Sequence, residues 1–443
     1  MRKYIIALSL SLVALASVQA QEGWTLRQCI EYAIENNVNI LQSENTAEQS
    51  KVDVNTAKWA RLPNLNARAG ESFNWGRSGT RRQNEEGEYV EVFANISTNS
   101  TSFSLGTNVP LFTGFEIPNQ YALSKLNLKA AFADLEKAKE DLAVNVASVY
   151  LQVLFNRELS KIAGEQVELS KQQVQRVVSL NEAGKTSSAE VAEAKARLAQ
   201  DEMSAVQAKN NYELSLLDLS QLMELPTPEG FSLAEPEAGL SFSALTPPDE
   251  VYLEASSNRP GILAAQYRLE GSEKSIRIAQ SAYFPQLSLD GSLSSGYYSS
   301  IENRSFGKQL NDNFTKYVGF SLSVPIFNRF STRNRVQKAR LQQTNYSLQL
   351  ENTRKALYKD IQQAWYSAVA AESKFTTSES AVFANEESFR LMKEKYENGK
   401  ATSLEYNEAR LNLMKALSDR IQAKYDYIFR SKILDFYKGI PIE

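Results

Sequence analysis

The sequence of 443 residues contains no histidine and one cysteine, Cys29. The missing histidine removes the commonest general base and metal ligand, and with it any Ser-His-Asp or Cys-His site. A single cysteine allows neither an intrachain disulfide nor a cysteine-based zinc site. Its plain reading is a packed helix residue. A formal net charge of −3 gives no electrostatic case for a nucleic-acid partner. Beyond the N-terminus no run of about 18 apolar residues occurs, so no membrane-crossing helix is expected. There is no nucleotide motif and no constellation of acid, base, nucleophile and metal ligands. The reading is therefore not an enzyme, and no cofactor is expected. Proline is absent between Asn119 and Asn181, where Gly164 is the only glycine.

What is present starts with "MRKYIIALSLSLVALASVQA", in which Arg2 and Lys3 precede an apolar run and Val18-Gln19-Ala20. That order reads as a secretory signal cut after Ala20. Gln21 follows in place of a lipoprotein cysteine, so no lipid anchor is expected. The destination is then the periplasm, the outer membrane or the medium.

The rest is a duplication. An offset of 215 places Pro110 on Pro325, Phe112 on Phe327, Tyr150 on Trp365, Gly184 on Gly399 and Lys185 on Lys400. Upstream, an offset of 222 places Pro63 on Pro285 and "NNVNIL" on "NRPGIL". The reading is a first repeat over residues 21–224, a Pro-rich linker over 225–248 and a second repeat over 249–443. Each repeat reads as helix, strand, loop, strand, long helix, turn, helix.

Strands are expected near 64–76, 102–113, 286–298 and 317–328. Along them apolar residues alternate with small polar ones: Phe103, Leu105 and Val109 against Ser104, Gly106 and Asn108, and Val318, Phe320 and Leu322 against Gly319, Ser321 and Ser323. Runs of about 10 residues with period two fit tilted outer-membrane strands, or a soluble sandwich with one wet face. Aromatics gather near their ends, as interfacial girdles do. Long helices are expected over 119–182 and 332–398. Leu128, Phe132, Leu135, Leu142, Val146, Val149 and Val153 follow a coiled-coil rhythm. Helices leading into the first strands are expected near 25–60 and 249–282. The charged stretch with Arg81, Arg82, Glu85, Glu86 and Glu88 reads as a solvated loop.

Four strands cannot enclose a lumen, and an open sheet edge cannot sit in hydrocarbon. The chain must therefore share a barrel with its own copies. Two copies give eight strands and a filled interior; three give twelve, which suits the small polar inner face better.

On these features, above all the strand ends "VPLFTG" and "VPIFNR" and the turns "NEAGKTSSAEVAEAKARL" and "YENGKATSLEYNEARLNL", the chain resembles the TolC-type outer-membrane efflux family. The resemblance implies an α+β membrane fold: a 12-stranded barrel shared by a homotrimer, in contact with outer-membrane lipid and continued by a periplasmic α-helical barrel. It implies a passive exit duct of a tripartite efflux or type I secretion system. The partners it implies are a periplasmic adaptor (membrane fusion) protein and an inner-membrane pump.

The tip turns carry the candidate site. Gly184 and Gly399 are placed to end the long helices in left-handed caps. Ser187 with Glu190, and Thr402 with Glu405, have capping-box spacing, a purely structural role. The resemblance implies that Glu405 and Glu408 ring the pore mouth, with Glu190 and Glu193 their first-repeat counterparts. Such rings favour cations. It also implies an adaptor contact at Ala183, Gly184, Lys185, Asn398, Gly399 and Lys400. Relatives often carry a gating arginine two positions after the second glycine. Ala401 stands there, leaving Tyr396 and Lys400 as the possible tether. The competing reading is a periplasmic coiled-coil scaffold or adaptor without a pore.

Overall fold

The computed structural model describes residues 23–84, 86–227, 229–234, 245–301 and 304–442. The expected signal segment, Glu85 and much of the linker lie outside them. In chain order the elements are α1 (Leu26–Asn36), α2 (Val38–Trp59), β1 (Asn66–Gln83), β2 (Tyr89–Phe112), α3 (Glu116–Glu182), α4 (Ser188–Leu222), α5 (Pro248–Asn258), α6 (Pro260–Ser281), β3 (Gln286–Tyr298), α7 (Phe306–Asp312), β4 (Thr315–Ser323), α8 (Ser331–Glu397) and α9 (Ser403–Tyr437). The duplication holds to the residue in two pairs: α3 and α8 have 67 residues each, and α4 and α9 have 35 each.

The helices leading into the strands are not continuous, contrary to the sequence reading. Each breaks at one residue, Asn37 (φ −65°, ψ 126°) and Arg259 (φ −64°, ψ 126°), which the offset of 222 makes equivalent. Pro260 disfavours helical backbone at Arg259 and suits the first turn of α6. Asn37 reaches the same geometry by side-chain bonding. Its Oδ1 accepts from the Asn39 amide at 3.0 Å, and its Nδ2 donates to the Leu222 carbonyl at 3.2 Å.

The repeats are not the compact units. One unit comprises the described residues of Glu48–Ala130 and Gln266–Gln349, and the other those of Met1–Ala47, Ala131–Ala265 and Leu350–Glu443. Each draws on both repeats.

The first unit holds the sheet, an antiparallel meander in the order β1-β2-β3-β4. β2 and β3 join the two repeats, pairing Leu105 with Leu293 and Asn108 with Asp290. One face carries Ala67, Ala69, Phe103, Leu105, Val109, Leu289, Leu293, Val318 and Phe320; the other carries Ser102, Ser104, Asn108, Ser288, Asp290, Ser292 and Ser321. Two strand limits differ from the reading. β1 and β2 continue as a ribbon from Phe73↔Asn99 to Gln83↔Tyr89, because Tyr89, Val90, Val92, Phe93 and Ile96 favour extended backbone. Arg81 and Arg82 therefore lie on a strand rather than in a loop. The Asn84 side chain accepts from the Glu86 and Glu88 amides and closes the hairpin, with Gly87 at φ +85°. β4 stops at Ser323, short of 328, since Pro325 has no N–H to donate. Its equivalent Pro110 stays inside β2, beside a register shift that ends at Phe112.

The corners from strand to long helix repeat as well. Gly114 and Phe115 (φ +61° and +68°) match Arg329 and Phe330 (φ +55° and +61°). In both, edge-to-face aromatic pairs brace the turn, Phe112–Phe115 at 5.4 Å and Phe327–Phe330 at 5.6 Å. A Cβ on Gly114 would lie 2.5 Å from the Ser281 carbonyl oxygen, so that corner admits only glycine.

The second unit is a helical core. Cys29, Ala33, Val146, Val153, Leu154, Leu219 and Met223 are buried together, with Ile421 and Tyr425 from α9. Burying each such aliphatic side chain contributes about 1.5–3 kcal/mol. Burial also pushes the Cys29 thiol up to about 12. The start of the linker docks here: Trp24 pairs with Leu233, and a Cβ on Gly23 would lie 2.3 Å from the Leu233 backbone.

Candidate functional site

The tips belong to the helical unit, and backbone geometry sets their shape. Gly184 (φ +70°) and Gly399 (φ +71°) end α3 and α8 in matching Schellman motifs. The Lys185 amide donates to the Leu180 carbonyl, and Lys400 to Lys395, each at 2.8 Å. Ala183, Lys185, Asn398 and Lys400 flank these glycines in the same two turns. The return helices start on the expected caps. Thr402 and Glu405 form a complete box, whereas Ser187 accepts from the Glu190 amide and its hydroxyl donates to the Glu190 carboxylate at 3.5 Å, without the return bond to its own amide.

This box occupies Glu405. Its Oε2 accepts from the Thr402 amide at 2.8 Å and from the Thr402 hydroxyl at 2.9 Å. The backbone bond first, and the hydroxyl second, hold its carboxyl below the ordinary glutamate range. Glu408 is free of such duties. It is exposed on the α9 face that also bears exposed Leu404 and Leu411 at spacings of four and three. Tyr406 and Arg410, on the opposite face, are buried. Of the first-repeat pair, Glu190 serves its cap, while Glu193 accepts from Ser403 Oγ at 3.3 Å and so links the two hairpins.

Of the two tether candidates, the structure engages Tyr396 only. The Tyr396 hydroxyl accepts from Gln173 Nε2 at 3.0 Å, and its ring stacks on Tyr406 at 4.8 Å. Beside it, Arg176 pairs with Glu397 at 3.2 Å and lies 5.8 Å from the Tyr396 ring. Burial raises the Tyr396 phenol above its ordinary value, outweighing its bond from Gln173. Lys400 Nζ makes no side-chain bond among the described residues.

Sequence reasoning missed a further, buried link. Arg410 is 3% exposed and Asp201 6%. The guanidinium donates to Asp201 Oδ2 at 3.2 Å and to Ser170 Oγ at 2.8 Å, and Ser170 donates in turn to Asp201. The Gln166 oxygen, with its amide oriented to satisfy both ends, accepts from Arg410 at 2.7 and 3.1 Å. Burial holds the Arg410 guanidinium below its ordinary value, against the opposing pull of Asp201. A signal existed: Asp201 falls two heptads before Ser215, on the buried stripe of α4, where an acid has no place without a partner.

In the sheet unit, the polar face offers hydroxyls, amides, the Asp290 carboxylate and, on β1, the Arg68 guanidinium. Ser72 and Ser100 hydroxyls meet at 2.8 Å, and Asn108 Nδ2 donates to Asp290 at 2.7 Å. No cluster of potential metal ligands occurs among the described residues. No described helix is long and apolar enough to cross a membrane.

A sheet greasy on one face and hydroxyl-lined on the other, with long paired helices ending in polar tips, defines an outer-membrane channel protein. Comparison with known proteins agrees. The family model described as "Outer membrane efflux protein" matches residues 29–224 and 251–437. The pyoverdine export outer membrane protein OpmQ of Pseudomonas aeruginosa is 26% identical over 82% of this chain and 74% of its own length. The outer membrane protein TolC of Escherichia coli is 23% identical over 96% of this chain and 83% of its own. Among solved structures, the Campylobacter jejuni CmeC outer membrane channel superposes with a TM-score of 0.77 at 21% identity, over 94% of this chain and 86% of that one. The chain belongs to the outer membrane efflux protein family. It is an outer-membrane exit duct of a tripartite efflux system, working with efflux-pump components. The family is made of channel proteins, not enzymes, and the pore-less scaffold is set aside.

Proposed function

We propose that three copies of this chain close one 12-stranded barrel and pass substrates passively from an inner-membrane pump, through a periplasmic adaptor docked at the tips, to the outside. The observation that carries this reading is the sheet with two open edges: β1 and β4 each pair on one side only. Edges left open in hydrocarbon cost several kcal/mol per unsatisfied group. Four strands per copy reach twelve in a trimer, and the serine-rich face then lines water. The turns at Ala183, Gly184 and Lys185 and at Asn398, Gly399 and Lys400 are the adaptor contact. Glu408 supplies the acidic ring at the mouth, and Glu405 contributes its charge from within its cap. Glu190 and Glu193 contribute acidity beside it, and Tyr396 is the closed-state tether. The first test is native mass spectrometry with unheated and heated gel migration of protein extracted from outer membranes. A heat-sensitive trimer is expected; a monomer at working concentration removes the proposal.

A further inference from the structure

Where β1 to β4 lie side by side, below the β1–β2 ribbon that carries Arg77, Arg81 and Glu91, two charged residues lie on the apolar face of the sheet, one on each edge strand. Glu71 on β1 falls between Ala69 and Phe73, and Lys316 on β4 falls two residues before Val318. Both are exposed, and neither has an ion-pair partner among the described residues. Glu71 accepts neutral bonds from Asn99, at 3.2 Å, and from Thr101; the Lys316 ammonium lies 5.6 Å from the Phe314 ring. A carboxylate and an ammonium on a greasy face are costly unless they meet a counter-charge or reach the interface.

The register tells where they go. Reading straight across the sheet, Lys316 stands opposite Leu293, Leu293 opposite Leu105, and Leu105 opposite Ala67. In a closed barrel whose strands tilt by 35–45°, four strands accumulate an offset of about 4–6 residues, from a strand spacing of about 4.8 Å and a rise of about 3.4 Å. Keeping apolar side chains on one face requires an even offset. Lys316 would then face position 71 or 73 of the next copy, or 63 or 61 if the offset ran the other way. The second choice is barred, because Pro63 and Arg61 precede β1, which begins at Asn66. Lys316 therefore falls directly opposite Glu71, or diagonal to it while facing Phe73. Long side chains reach across either arrangement.

We propose that Lys316 of one copy and Glu71 of the next form an ion pair across the subunit seam of the barrel, at the outer rim of the lipid-facing band, and that this pair sets the seam register. The occupant of each open edge is a second copy of this chain. The inference rests on the trimer proposed above. Phe73 and Trp75, stacked at 6.1 Å, stand beside the pair on β1 in the aromatic rim.

The test has two arms on trimer purified from outer membranes. In the first, the cysteine pairs F320C with A67C and F320C with A69C, which report offsets of four and six, are oxidised and run on a denaturing, non-reducing gel. One of them is expected to yield covalent oligomer, while native Cys29 is buried and silent. In the second arm, E71K and K316E are each expected to lower the temperature at which the trimer band is lost. The double reversal is expected to lose less than the sum of the two singles. Failure of both cysteine pairs in protein that is trimeric by native mass spectrometry overturns the seam register, and strictly additive losses overturn the ion pair. Either result leaves the trimer standing, whereas a monomer removes both proposals together.

Discussion

At the residue scale, the most consequential group is one that carries no transport chemistry. Arg410 is a full charge held among α3, α4 and α9 by Asp201, Ser170 and Gln166. Removing one partner of a buried pair is strongly destabilising, because the other is left charged and unsolvated. Asp201→Ala is therefore expected to cost about 3–5 kcal/mol on that principle, read as a loss of helical signal at lower temperature. Asp201→Leu combined with Arg410→Leu is expected to recover part of it, since the buried Arg410 charge is gone while Arg197, 3.5 Å from Asp201, still loses its carboxylate. Cys29 supplies a second check. With its thiol raised to about 12, a maleimide at pH 8 is expected to leave the native protein unlabelled and to react after denaturation. Glu405 gives a pH signature. Its carboxyl is depressed in the folded tip, so its contribution is present above the ordinary glutamate value and is lost as pH falls through the lowered one. Amide exchange at the start of α9 should accelerate across that acidic window, and Glu405→Gln should flatten the response.

At the scale of elements, glycine and proline decide where helices and strands stop. Gly184 and Gly399 sit in open space with positive φ, so alanine there meets no clash and loses only backbone preference. Gly399→Ala is expected to cost about 1 kcal/mol, seen as faster exchange in the last turn of α8. The β1–β2 ribbon is separable in another way. β3 pairs with β2 only as far as Ser100, so the described residues of 77–95 pair with no part of β3. Replacing them with a two-residue turn is expected to leave the heat-sensitive gel shift unchanged; its loss would assign the ribbon to assembly. The period-two alternation made the strands legible, but it could not locate their ends. The ribbon extends because β-prone residues along β2 hold it extended opposite β1 across a closed hairpin, and β4 stops at Ser323 opposite the first residue of β3, with Pro325 beyond offering no N–H.

At the scale of the whole molecule, the proposed duct turns on charge at the mouth and on closure of the barrel. Glu408→Ala is expected to reduce cation selectivity in planar-bilayer recordings, whereas Glu405→Ala should show a tip-stability defect as well. Equal effects from the two would remove the distinction drawn between a free and a capped carboxylate. The tip turns, their glycines and their capping residues were legible in the sequence because they are local motifs with fixed spacing. The link among Arg410, Asp201, Ser170 and Gln166 was not, because it joins residues 31 to 240 positions apart. Lys400 had the right charge and position for a tether, yet the bonds between the hairpins, beside those of Arg410, are made by Gln173 to Tyr396, Arg176 to Glu397 and Ser403 to Glu193.

The sequence alone determined the duplication, the four amphipathic strands and the long helices. These are properties of composition and short period, which neighbouring residues impose on one another. Tertiary structure alone decided that the repeats interleave into shared units, that β2 bonds to β3, and that a buried arginine ties the hairpins together. Each of these depends on which distant side chains arrive at one place, and only packing of the helices and pairing of the strands brings them there.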